Sequence, residues 1–275
     1  AVGWVSDHYS CNQELSWLKT SAATAVSWVS NTTAVGWVAL NIQLRPGNLN
    51  EVDVAQRTGV LVHGFALNTL VHALADPPPV RRDPRSESKE VHRPAAVLIL
   101  LTDTDDPDLT FIERATGPEL HSGQIAFPGG HVELGETFTE AALREAHEEI
   151  LLNPTQVEVL GAVSLVNLPI SALNVLPVIG QWGGDQPIGP GDITEVAAVH
   201  RIDVATLVNP ENRRTAVFEQ YSGPAFVAGD LFIWGFTATL VDYLLDLAGW
   251  AEPWDQSWTS EIPPRFLGGA IPRGH

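Results

Sequence analysis

Two hydrophobic periods alternate along the chain from Ala95 onward, and each predicts a different element. Residues 95–102, AAVLILLT, are an unbroken apolar run of strand length, the pattern of a strand buried on both faces. LTFIERA (109–115) predicts a second strand, and GQIAFPGG (123–130) an apolar strand end running into a glycine turn. The period then changes. Thr137 can cap a helix, and Glu140 three residues later completes a capping box. The following AALREAHEEI contains good helix formers and neither Gly nor Pro. VEVLGAVSLVNL (157–168) and NVLPVIGQW (174–182) return to strand character, and 183–192 is a Gly/Pro-rich loop. After ITEVAAVHRIDVATLV, closed by Asn209-Pro210, residues 224–250 predict a hairpin turn at Ala228-Gly229-Asp230. A helix follows, with apolar Phe236, Leu240, Tyr243 and Leu244 at helical spacing. Strands with one helix on each side predict a layered α/β sandwich.

The first third has a different texture. AVGWV, AVSWV and AVGWV begin at Ala1, Ala25 and Ala34, at spacings too unequal for a solenoid. AVSWVSNTTAVGWVAL predicts a hairpin turning at Asn31-Thr32-Thr33. Its Trp28 and Trp37, like Trp4, fit an added packing hairpin better than a stacking surface. Residues 59–75 have helical periodicity, and their His63 and His72 lack the i,i+4 spacing of a helical metal pair. Residues 77–94 contain five prolines among mixed charges and read as a linker or long loop. The expected division is therefore an N-terminal extension (1–76), a linker (77–94), an α/β domain (95–250) and a Pro/Trp/Gly-rich, loosely attached tail (251–275).

The predicted helix after the glycine turn carries the chemistry. At about 100° per residue, Glu145 and Glu149 lie roughly 40° apart, with Glu148 roughly 60° from Glu145 on the other side. Ala142, Leu143, Ala146 and Ile150 occupy another sector, which would pack on a sheet. A solvated acidic face is the simpler interpretation of glutamates on an acidic protein. The glycine turn, Glu136 and Arg144 in the same stretch favour a cradle for a divalent cation. Hard cations such as Mg²⁺ take oxygen ligands and complete their shell with water and substrate phosphates.

Residues 130–152, GHVELGETFTEAALREAHEEILL, resemble the box of Nudix hydrolases: Gly, five residues, Glu, seven residues, Arg-Glu, an apolar residue, any residue, Glu-Glu, any residue, Gly, an apolar residue. Gly130, Glu136, Arg144, Glu145, Ala146, Glu148, Glu149 and Leu152 match. Leu151 stands at the second glycine. A branched residue is unfavourable at the positive φ that glycine normally takes there, so a shifted C-cap is expected, with Asn153 and Pro154 ending the helix. Upstream, Arg114, His121, Gly123, Gln124 and Phe127-Pro128-Gly129-Gly130 are similar to the motif preceding the box in the coenzyme A diphosphatase branch, with Pro118 at a usual leucine.

The resemblance implies a Nudix-type α/β/α sandwich with a mixed β-sheet, plus the N-terminal extension. It implies Mg²⁺ or Mn²⁺ held by Gly130, Glu145, Glu148 and Glu149, with Arg144, Glu145, Glu148 and Glu149 as the catalytic set. Arg144 would position a glutamate by a bidentate contact, and Glu136 would lie outside the ligand set. Glu149, Glu195 and Asp192 are the options for a base. Arg114, His121 and Gln124 are implied as substrate contacts, with an orienting turn bond as the other role for His121. The implied reaction is hydrolysis of the diphosphate in coenzyme A or acyl-CoA, with ADP-ribose or NADH as alternatives. A non-catalytic nucleotide-binding regulatory module is the remaining alternative.

Composition narrows the partners. A net charge of −18 over 275 residues argues against a nucleic-acid partner. It leaves an anionic small-molecule substrate to be met by metal ions and local Arg or His. A single cysteine, Cys11, fits a reducing cytoplasm. No run approaches the length of a membrane span, and no basic segment followed by an apolar core predicts a signal peptide. A homodimer is compatible with the sequence.

Overall fold

The computed structural model describes residues 24–30, 37–43, 65–80, 92–117, 121–168 and 171–267. By its internal contacts the chain divides into Ala1–Val62 and His63–His275. In the first unit, β1 (Thr24–Ser30) and β2 (Trp37–Gln43) pair antiparallel, in a register that places Ser30 opposite Trp37. This is the pairing the apolar repeats predict; the expected turn at Asn31-Thr32-Thr33, and Trp4, lie outside the described residues.

The second unit begins with α1 (Phe65–Ala73). It continues with β3 (Arg93–Thr102), β4 (Asp108–Arg114), β5 (Ile125–Ala126), β6 (Gly129–His131) and α2 (Phe138–Ile150). Three strands follow: β7 (Glu158–Ala162), β8 (Val166–Leu168) and β9 (Leu173–Trp182). Then come β10 (Val196–Asp203) and the short helix α3 (Val204–Val208). Next come β11 (Arg213–Phe218), β12 (Tyr221–Ala228), β13 (Leu231–Ile233), α4 (Gly235–Leu247) and β14 (Thr259–Glu261).

The main sheet runs β10-β4-β3-β9-β7, with β5, β6 and β8 attached to β4, β3 and β9. Only β3 and β9 pair parallel, from Arg93↔Leu173 to Thr102↔Trp182, so the sheet is mixed. Strand alternation explains the two layers on it. Ala96, Leu98 and Leu100 of β3, with Ile112, Val178 and Trp182, pack against Ala141, Ala142, Ala146 and Ile150 of α2. The intervening Ile99 and Leu101, with Phe111 and Ile179, face Leu240, Val241 and Leu244 of α4 and Leu67 and Leu70 of α1. A continuous apolar run is required because β3 is covered on both faces. No helix among the described residues is long and apolar enough to cross a membrane.

Three expectations are corrected. Helix α1, expected in an N-terminal extension, places Leu67 and Leu70 in the core of the second unit; the linker assigned to 77–94 overlaps β3 from Arg93, while 81–91 lie outside the described residues. The tail is not loosely attached. Its β14 pairs parallel with β11 in a second sheet, ordered β13-β12-β11-β14, that the periodicity did not reveal. Buried Arg213 fastens it further: its guanidinium lies 4.3 Å from the Phe226 ring and 4.6 Å from Trp254, and it pairs with Asp242. Third, the C-cap of α2 is not shifted. Leu151 itself takes the left-handed conformation (φ 58°, ψ 24°), and its N–H donates to His147 O. The side chain of Gln186 supports this end, donating from Nε2 to Leu151 O (2.9 Å) and accepting from Asn153 N–H (3.1 Å) at Oε1. Gly189 N–H and Gly191 N–H bond to the carbonyls of Ile150 and Glu149. Tertiary bonds to these open carbonyls hold a branched residue where glycine is usual.

Candidate active site

The site forms where β6 meets α2. Phe127, stacked on Phe111 with ring centroids 4.9 Å apart, anchors the chain as it enters the Pro128-Gly129-Gly130 turn. Gly129 and Gly130 then pair with Val97 and Ala96 of β3. Helix α2 starts with the expected capping box: Thr137 Oγ1 accepts from Glu140 N–H at 3.2 Å, and Glu140 Oε2 accepts from Thr137 N–H at 2.8 Å. Packing of its alanine face on β3 turns Glu145 and Glu149 toward the glycines.

Glu149 is 7% exposed, and its Oε2 accepts the Gly129 N–H at 2.8 Å. Its other oxygen, Oε1, is 4.0 Å from Arg114 Nη1. Burial pushes its pKa up to about 7, outweighing the Gly129 bond and Arg114, with the charges of Glu145 and Glu195 adding to the rise. Glu145 lies directly over Gly130, where a Cβ would come 2.3 Å from its Oε1. Only glycine leaves room for that carboxylate. Burial raises the Glu145 pKa too, against the pull of Arg144.

Arg144 organises the exposed side of the cluster. Its Nε and Nη2 donate to Glu136 Oε1 (2.9 Å) and Oε2 (3.2 Å), and Nη2 also donates to His131 O (2.9 Å). Nη1 reaches Glu148 Oε2 and Glu145 Oε1, both at 3.1 Å. The fork geometry of guanidinium explains why one residue serves three carboxylates and a carbonyl. Glu136, which also accepts from Glu133 N–H, is held below the usual carboxylate range, chiefly by Arg144.

The predicted residues therefore separate. Gly130, Glu145 and Glu149 come together, while Glu148 is 56% exposed and turned to Arg144. Among the described residues, no three His, Cys, Asp or Glu side chains are already gathered as a metal cage. The convergent pair nevertheless suits a divalent cation. Its donors are all oxygen, burial raises the pKa of both carboxylates, and the guanidinium nearest Glu149 is 4.0 Å away. Of the further candidates, Asp192 is committed to a local turn, accepting from Thr194 N–H (2.8 Å) and Oγ1 (2.7 Å), which lowers its pKa. Glu195 is exposed, and its charge acts on Glu149.

Arg114, 4.0 Å from Glu149, is linked through the following loop to His121 and Gln124. Arg114 N–H donates to Gln124 O, and Gly123 N–H to Arg114 O, closing the loop on itself. His121, at φ 70°, places its Nδ1 2.9 Å from Gln124 Oε1. His72 lies apart, exposed in the last turn of α1, and His63 is outside the described residues. Sequence reasoning did not single out Gln186 or the contact between Gln124 and Leu267 O, which spans 143 residues. No local pattern encodes either.

The NUDIX domain profile matches residues 92–217. The uncharacterized Nudix hydrolase NudL of Escherichia coli O7:K1 is 33% identical over 165 residues, covering 54% of this chain and 80% of that protein. Its counterpart in Shigella flexneri serotype 5b is 31% identical over 179 residues, covering 60% and 84%. Among solved structures, a Nudix hydrolase from M. smegmatis, RenU, aligns with a TM-score of 0.44 at 19% identity, covering 60% of this chain and 91% of that one.

Proposed function

The chain belongs to the Nudix family of hydrolases, which act on pyrophosphate bonds of nucleoside diphosphate derivatives, and from that premise we propose that its own substrate is coenzyme A or an acyl-CoA. The observation that carries the site assignment is the buried Glu149, bonded to the Gly129 N–H in the turn where Glu145 lies over Gly130, with its other oxygen 4.0 Å from Arg114. The substrate reading is supported by Arg114, His121 and Gln124, which share one loop leading into that turn.

In this proposal Glu145, Glu149 and the Gly130 carbonyl hold Mg²⁺ or Mn²⁺, with Glu148 assisting from the rim. The bound ion supplies neutralisation of the diphosphate charge and an acidified water. Arg144 keeps Glu145 and Glu148 oriented and leaves the Glu136 carboxylate ionised. Arg114, at the edge of the pair, meets a phosphate oxygen. The proton from the attacking water goes to Glu149 or Glu195; the bonds from Thr194 remove Asp192 as a base. The single cysteine supports a cytoplasmic setting.

The test is incubation with coenzyme A, ADP-ribose and NADH, each with Mg²⁺ or Mn²⁺, followed by chromatography. Cleavage of coenzyme A to a 3′,5′-phosphorylated adenosine and phosphopantetheine is expected. Glu149→Gln should lower kcat by about 10²-fold or more, the scale of a lost acid–base or electrostatic group. Preferential turnover of ADP-ribose or NADH would replace the substrate assignment. Nucleotide binding without turnover of any diphosphate would replace catalysis by a regulatory role.

A further inference from the structure

Gln124 joins two distant parts of the chain. Its Nε2 donates to the main-chain oxygen of Leu267 at 3.4 Å, and its Oε1 lies 2.9 Å from His121 Nδ1. A peptide oxygen only accepts, so the amide turns its NH₂ toward Leu267 and its oxygen toward His121. The amide oxygen also only accepts, so the proton must sit on His121 Nδ1. A neutral imidazole has one N–H, and Nε2 is left with its lone pair. Burial holds the His121 pKa down, opposed by the Gln124 bond and reinforced by Arg114, which favours the neutral ring. No described residue hydrogen-bonds Nε2.

The segment that orients Gln124 is firmly seated. Ile262 and Phe266 are buried, and Phe266 O accepts from Trp234 Nε1 at 2.9 Å. It also touches the loop backbone to backbone: a Cβ on Gly123 would come 2.5 Å from Arg265 O.

We propose that the C-terminal segment sets the tautomer of His121 through Gln124, making Nε2 an acceptor for an O–H or N–H group on the nucleoside part of the substrate. A ribose hydroxyl and a base amino group have that chemistry. Ionised phosphate oxygens do not, because they only accept, and a lone pair turned toward them repels. Gln124 is then a positioning residue and His121 a determinant of nucleoside specificity. This rests on the nucleoside diphosphate hydrolase reading above.

The experiment is ¹⁵N NMR of the full chain labelled at histidine, with His121→Ala to assign the signal. The wild type is expected to show the proton on Nδ1, and Gln124→Leu a mixture with the Nε2–H form. Kinetically, both substitutions should raise KM for a nucleoside diphosphate substrate about 10-fold, one hydrogen bond's worth, with the loss falling on KM rather than kcat. Inhibition by inorganic pyrophosphate, which has no nucleoside, should stay unchanged. A wild-type proton on Nε2, or pyrophosphate inhibition that weakens in step with KM, would overturn the proposal. If the wild type cleaves no diphosphate, the hydrolase reading fails separately, and the tautomer is still read from the spectrum.

Discussion

Glu149 is fastened to the turn it faces: its Oε2 accepts the Gly129 N–H at 2.8 Å, across 20 residues of sequence. One oxygen is thereby committed to the turn, and the other is directed toward Arg114, 4.0 Å away. The bond fixes the carboxylate in place without neutralising it. Burial therefore dominates, and the pKa rises to about 7.

That rise has a consequence for stability in metal-free buffer. The folded state holds the Glu149 proton to about pH 7, while the unfolded chain releases it near the ordinary value of 4.5. The folded state binds more protons in that window, so the contribution is fully present below about pH 4.5 and is lost as pH rises through 7. The loss amounts to about 3 kcal/mol. Urea denaturation with EDTA at pH 5 and pH 8 should reveal it, and Glu149→Gln should remove this component. Millimolar Mg²⁺ should restore stability at pH 8 in the wild type but less in Glu149→Gln; an equal effect on both would remove Glu149 from the ligand set.

Gly130→Ala places a methyl group where the Glu145 carboxylate now lies. The variant is expected to fold, because the carboxylate can swing outward. Mn²⁺ affinity, read by electron paramagnetic resonance, should weaken by about 10-fold, corresponding to roughly 1.4 kcal/mol. Unchanged affinity would remove Glu145 from the ligand set.

Arg144→Lys keeps the charge but loses the fork that grips both Glu136 oxygens and His131 O. Because these groups are screened by solvent, only a small fall in Tm is expected. The larger effect should fall on kcat, since Glu145 and Glu148 both lose their shared partner. Parallel thermal melts and turnover measurements separate the two.

Leu151 is half exposed and left-handed, a conformation that costs an L residue about 1–2 kcal/mol. Leu151→Gly relieves that cost but adds freedom to the unfolded chain. A net gain of about 0.5–1 kcal/mol is expected, seen as a rise in Tm of about 1–4 °C. A fall in Tm would show that the Leu151 side chain contributes more by contact than its backbone costs.

The sequence by itself determined what depends on near neighbours. The apolar run of β3 marks a strand covered on both faces, and Thr137 with Glu140 marks the start of α2. The spacing of Glu145 and Glu149 places both carboxylates on one side of that helix. Each signal acts within about one or two helical turns, where backbone geometry dictates which side chains meet. Only the tertiary structure decided that Glu149 is buried against Gly129 while Glu148 turns outward to Arg144. It also decided that Gln186 supports a left-handed Leu151, that the tail completes a second sheet, and that Leu267 reaches Gln124. Those outcomes depend on which surfaces pack together across long stretches of chain. Burial, and the polar bonds it demands, are properties of that packing, which local periodicity does not carry.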